Sequence, residues 1–164
     1  MDRTEQQPVI LVGVSGSCAS LAALAWAADE ARRRQAALRV IQAWQPHPAR
    51  ALYAGTGRTG AGFTSEPAAA HRLAAEVRGV LGEAPGLPLA VELAEGTAER
   101  VLTERSELAG LLVLGSGGHE PCADHPVGPV VRACLSHARC PVVIIGPAMA
   151  ARSSTRTPDL ALHG

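Results

Sequence analysis

The sequence predicts an α/β protein: an open parallel sheet of five strands with helices on both faces. Three observations lead there. Short aliphatic runs alternate with helix-length segments from Val9 to Ile145. Several runs are continuous Val, Ile and Leu rather than alternating apolar and polar, as expected of strands covered on both sides. The 164 residues are a one-domain length with room for one sizeable core.

Taken in order, Val9 to Val14 reads as the first strand, left through the turn-forming Gly13 to Ser17. Cys18 to Arg34 reads as a helix, with Leu21, Leu24, Ala25, Ala28 and Ala31 recurring at steps of three and four. Arg32, Arg33 and Arg34 complement the negative end of its dipole. Leu38 to Ala43 is the second strand. Gln45 to Pro67 has no period and reads as a 23-residue insertion, a length that points to a lid, a binding loop or disorder. Its Gly55, Gly57 and Gly60 have a dinucleotide-fingerprint spacing, but no strand precedes them and no helix follows, so the spacing is read as fortuitous. Ala68 to Leu81 is helical and ends near Gly82, Leu87 to Leu93 is a strand, and Thr97 caps the next helix. Leu111 to Leu114 is a buried strand, Gly115 to Gly128 a glycine- and histidine-containing connection, Val130 to His137 a short helix and Val142 to Ile145 the last strand. The expected domain covers residues 8–147, with 148–164 a mobile tail.

Composition removes several functions. Fifteen basic residues balance fifteen acidic ones, leaving no field that would draw the chain to nucleic acid or an anionic membrane. Every basic residue is arginine, which excludes P-loop lysine and Schiff-base chemistry. Aromatics are 2% and alanines number 31, so the core must be aliphatic and the helices must lie close to what they cover. Four cysteines without dense spacing, and an N-terminus without a leader pattern, fit a reducing, cytoplasmic setting. No apolar run approaches the roughly 18 to 20 residues that cross a bilayer.

In such a sheet a ligand belongs beyond the carboxyl ends of adjacent strands, where the strand order reverses. The turns after Val14 and Leu114 both belong at that edge. Gly115, Ser116, Gly117 and Gly118 can turn unshielded amides inward as a phosphate nest, with the following helix adding its positive end. A flexible strand-to-helix connection explains the same residues equally well. His119, Cys122, Asp124 and His125 are metal-ligand types at no recognised spacing and read as a polar loop, so no metal is assigned. Ser15 or Ser17 with His119 or His125 lacks an orienting carboxylate, so no catalytic residue is assigned either. Trp26, Cys134 and Cys140 read as packing residues, while Trp44 at a strand exit either packs or covers an adenine edge.

Four segments carry a resemblance: Val9-Ile-Leu-Val-Gly-Val-Ser-Gly-Ser-Cys-Ala-Ser20, Glu95-Gly-Thr-Ala98, Leu112-Val-Leu-Gly-Ser-Gly-Gly118 and Cys140-Pro-Val-Val-Ile-Ile145. Together they resemble the universal stress protein (UspA-type) family. Gly115, Gly118 and Gly128 reproduce the glycine spacing of its nucleotide-binding branch. The resemblance implies an adenine-nucleotide alpha-hydrolase-like sheet of order 3-2-1-4-5. It implies Gly13, Ser15 and Ala43 at the adenosine end of a site, and Gly115, Ser116, Gly117, Gly118, Gly128 and Pro129 at the phosphate end. Two positions depart from the pattern: Ser15 stands where ATP-binding relatives carry aspartate, and Pro129 where they carry Ser or Thr. Glu120 and Asp124 add negative charge to the intervening loop. Two lost donors cost about 1 to 3 kcal/mol of ligand binding. The implied function is a small cytosolic stress-response protein with weak or altered binding of ATP or ADP with Mg2+, or with no cofactor. The alternatives are a dimeric protein-interaction module without nucleotide, and a weak ATP hydrolase. The implied partner is a second copy through Val142–Ile145, with an unidentified protein beside it, and neither nucleic acid nor membrane.

Overall fold

Five strands lie parallel in the order β3-β2-β1-β4-β5. They are β1 (Val9–Gly13), β2 (Ala37–Trp44), β3 (Leu89–Glu95), β4 (Leu111–Gly115) and β5 (Val142–Ile145). Helices α1 (Cys18–Arg34), α2 (Glu66–Leu81), α3 (Ala98–Arg105) and α4 (Pro129–His137) connect them. This computed structural model describes residues 7–46, 65–116 and 127–146. The expectations for the three loop glycines, for Gly117 to His125 and for the tail lie outside the described residues.

Side chains alternate across each strand, so one sequence feeds two cores. Ile10, Val12, Leu38, Val40, Leu111 and Val113 pack under α1 and α2, with Leu24, Leu73 and Val77. Leu11, Ile41, Leu112 and Leu114 face the other way and pack under α3 and α4, with Val101, Leu102, Val131 and Cys134. Continuous aliphatic strands are what two covered faces require. Full burial of each large side chain contributes about 1.5 to 3 kcal/mol.

Alanine brings α1 onto the sheet. Its buried positions include Ala19, Ala23, Ala27, Ala28 and Ala31, and a Cβ added at Gly115 would stand 2.4 Å from the Ala19 carbonyl carbon. Of the expected inward positions Leu24, Ala28 and Ala31 are fully buried, whereas Leu21 and Ala25 are only partly covered and Ala23 and Ala27 are fully buried as well. Small side chains win the tight contact because backbone approach gains more packing than a leucine could fit.

Other boundaries move for local reasons. Helix α2 begins at Glu66, before the expected Ala68, because the Ser65 hydroxyl accepts from the Ala68 amide and Pro67 is tolerated in a first turn. Its last carbonyls close on Gly82, whose φ of 77° suits glycine. Strand β3 starts at Leu89 rather than Leu87, since Pro88 has no N–H to give; its carbonyl still accepts from Leu38 N at 2.8 Å. Thr97 caps α3 as expected, accepting from Arg100 N. Ser106, fully buried after α3, donates to Thr103 O at 2.6 Å and accepts from Arg139 N at 2.9 Å, tying α3 to the approach to β5.

Candidate functional site

Successive strands run β1 to β2 to β3 on one side of β1, then return to β4 and β5 on the other, so the order reverses between β1 and β4. The hydrogen bonds show why that boundary opens. Pairing of β1 with β4 stops at Val12 and Val113. Beyond it, β1 stays with β2 through Gly13 and Ile41 and through Val14 N to Ile41 O at 2.9 Å. Likewise β4 stays with β5, through Gly115 and Ile145 and through Ser116 N to Ile145 O at 2.9 Å. The two central strands therefore splay apart at their carboxyl ends.

A cavity of about 320 Å³ occupies the gap. Ile41, Leu102 and Leu114 form an aliphatic floor, and Ala43 and Ala98 one side. Gly13 is part of this floor: a Cβ there would lie 3.0 Å from both Leu102 Cδ1 and Leu114 Cδ2. One wall is the turn into α1, with Val14, Ser15, Ser17 and Ser20; the opposite wall is the start of α4, from Gly128 to Val131. Gly128 is the N-cap and supplies no side-chain bond, so among the described residues no side chain caps the first-turn amides of Val130 and Val131, while Pro129 has none to offer.

The serine wall is held from within. Ser17 caps α1 by accepting from Ser20 N at 3.2 Å. Ser20, buried, donates to Ser17 O at 2.9 Å and accepts from Ser15 N at 3.2 Å. The exposed Ser15 hydroxyl lies 3.1 Å from that of Ser17. Gly16 between them has a φ of 82°, the left-handed region that favours glycine.

Of the expected site residues, Gly13, Ser15, Ala43, Gly115, Gly128 and Pro129 converge on this one cavity. Ser116 does not line it: its amide is spent on Ile145 and its side chain is buried towards Gly146. Gly117, Gly118, His119, Glu120, Cys122, Asp124 and His125 lie outside the described residues. The sequence reading missed Ser20 and the aliphatic floor. The Ser-x-x-Ser pattern of Ser17 and Ser20 signals a helix cap, but nothing in it marks the second serine as the anchor of the preceding turn. Among the described residues no group of three or more His, Cys, Asp or Glu side chains could hold a metal, and no helix is long and apolar enough to cross a membrane. Trp44 ends β2 and does not line the cavity, and Trp26 packs against the core beneath α1 and α2.

Cysteine chemistry is divided by burial. Cys18 is exposed, Cys134 buried and Cys140 between. Burial pushes the Cys134 thiol up to about 11, reinforced by Glu99 and Cys140. The folded state thus favours the protonated thiol; that stabilisation is whole below the ordinary value of about 9 and is lost as pH rises towards 11. Unfolding free energy measured from pH 8 to 11 is expected to fall across this window, and to fall less in Cys134→Ala. Iodoacetamide at pH 8 is expected to label Cys18 and spare Cys134.

An open, helix-covered parallel sheet with a cavity at its order reversal defines a doubly wound α/β fold. The universal stress protein family model matches residues 8–146. The chain is 32% identical over 155 residues to universal stress protein Rv2028c of Mycobacterium tuberculosis, covering 90% of this chain and 51% of that protein. It belongs to the universal stress protein family, and it spans about half the length of the curated relatives it matches. Among solved structures, UspA from Lactobacillus plantarum superposes with a TM-score of 0.67 at 23% identity, over 84% of this chain and 97% of that one. A universal stress protein solved in complex with cAMP superposes with a TM-score of 0.58 at 21% identity, over 85% and 97% of the two chains.

Proposed function

We propose that the cavity between β1 and β4 binds an adenine nucleotide, and that the chain is a small cytoplasmic stress-response protein whose domain spans residues 8–147. The observation that carries this is the splay of the two central strands, which places an apolar floor between an α1 wall of serine hydroxyls and the free amides that start α4. The base lies on Ile41, Ala43 and Leu102, with Gly13 leaving room for it. Ser15 and Ser17 face the sugar, and the phosphate end meets Val130 and Val131 beside Gly128 and Pro129. Gly117 and Gly118 complete that end by family resemblance, with Mg2+ accompanying ATP or ADP. The cAMP-bound relative of the same fold supports an adenine ligand.

Calorimetry on nucleotide-free protein tests the reading with AMP and with ATP and magnesium. Heat saturating at or below millimolar ligand is expected, and none at millimolar concentration would remove it. Pro129→Ser restores one N–H and one hydroxyl at the first position of α4, and is expected to tighten phosphate-bearing ligands about tenfold while leaving adenosine unchanged.

A second reading concerns assembly. Strand β5 is an edge of the sheet, and Val142, Val143 and Ile144 are only half-buried there. An unpaired apolar edge favours pairing with another copy. A homodimer through Val142–Ile145 is expected, and sedimentation showing only monomer at micromolar concentration would remove it.

A further inference from the structure

The strongest unexplained group outside the cavity lining is Glu76. It projects from α2 against the turn that joins β1 to α1: a Cβ at Gly16 would stand 3.0 Å from Glu76 Oε1 and 3.7 Å from both Cδ and Oε2. Oε2 is buried and finds no hydrogen-bond partner among the described residues. Buried polar atoms without partners are rare and call for a cause. The carboxylate also stands where α1 begins, and the first turn of α1 holds no acid of its own. A carboxylate from the neighbouring helix thus partly meets the positive helix end that would otherwise attract an anion.

We propose that Glu76 sets the ligand charge the cavity accepts, favouring nucleosides and single phosphates over polyphosphates. This rests on the reading of the cavity as a nucleotide site. Gly16 carries no side chain, and its neighbours Ser15 and Ser17 both line the cavity, so only a thin neutral turn separates the carboxylate from a ligand. Among the described residues no lining side chain carries a charge to offset it. The cation beside the opposite wall, Arg132, is exposed and turns to the Val127 carbonyl at 3.4 Å. Repulsion from a fixed charge grows with each negative charge the ligand adds, and weakly solvated surroundings screen it poorly.

The test titrates adenosine, AMP and ATP, without and with magnesium, into the full chain and into Glu76→Gln, which keeps the side-chain shape and removes the charge. Glu76→Gln is expected to tighten ATP about fivefold or more, AMP less and adenosine under about twofold, with the gain shrinking as salt rises. Glu76→Asp is expected to keep the wild-type ranking. An equal change for all three ligands, or none, makes the residue merely structural and overturns the proposal. So does binding of ATP with magnesium that weakens in Glu76→Gln, which would make the carboxylate a cation ligand. If wild type and variant bind none of the three, the nucleotide reading itself falls and the proposal falls with it.

Discussion

Gly115→Ala is expected to destabilise the protein by about 3 kcal/mol or more, since overpacking against atoms that cannot move aside costs in that range. The added Cβ would meet Ala19 C at 2.4 Å, Ala19 O at 2.5 Å and Ser20 N at 2.6 Å. These are backbone atoms of the first turn of α1, so no rotamer change relieves the clash; either α1 or the end of β4 must shift. Either shift displaces the serine wall from the cavity floor, and ligand binding is expected to fall with stability. Two other glycines separate steric cost from the general effect of losing a glycine. Gly79→Ala, inside α2 with nothing within 4 Å among the described residues, is expected to gain about 0.5 to 1 kcal/mol. Gly128→Ala also meets nothing within 4 Å among the described residues and has an ordinary φ of −66°, so it is expected to cost only the poorer N-cap character of alanine, about 1 kcal/mol or less. Urea unfolding of the three variants checks the ranking. A Gly115→Ala protein as stable as wild type would mean that α1 does not approach β4 this closely.

The same contact shows what a sequence can and cannot disclose. Strands β1, β4 and β5 were legible because two covered faces demand uninterrupted aliphatic residues, and Val142–Ile145 and Leu111 to Leu114 announce that directly. The order of the strands was legible only through family resemblance, since hydrophobic runs do not say which neighbour they pair with. Helix α1 was legible as a helix, and Leu24, Ala28 and Ala31 as part of its inward face, but the alanines of closest approach were not. Periodicity weights leucine above alanine, whereas the tight approach at Gly115 selects Ala19, Ala23 and Ala27. Six of the nine expected site residues meet at one cavity because the carboxyl ends of β1, β2 and β4, the turn into α1 and the start of α4 border the same gap. Ser116 is turned away by a β4–β5 hydrogen bond that depends on where the ladder stops, a tertiary fact with no local sign. Glu76 had no signal at all: an acid on an amphipathic helix reads as solvated until α2 is docked against Gly16.

Ser20→Ala is expected to cost about 1 to 3 kcal/mol, the range for leaving a buried or half-buried polar group without its partner. The Ser20 hydroxyl is the only side-chain partner of the Ser15 amide among the described residues, and Ser20 itself is buried. Its other bond, to Ser17 O, is less consequential, since that carbonyl also accepts from Leu21 N at 3.0 Å. The expected functional result follows from the same geometry: without its anchor at Ser15, the turn of residues 15–17 loses its fixed distance from the cavity floor, and affinity falls along with stability. Ser17→Ala removes the N-cap and is expected to cost about 0.5 to 2 kcal/mol. Ser20 donates to Ser17 twice, from its amide to the Ser17 hydroxyl and from its hydroxyl to the Ser17 carbonyl, so the double variant is expected to cost less than the sum of the single ones by about 0.5 kcal/mol or more. Strict additivity in urea unfolding would show that the two serines act independently, and the serine wall could not then be a single preorganised unit. Ligand affinity in Ser20→Ala equal to wild type, with stability reduced, would place the anchoring role in folding and leave binding to the floor and to α4.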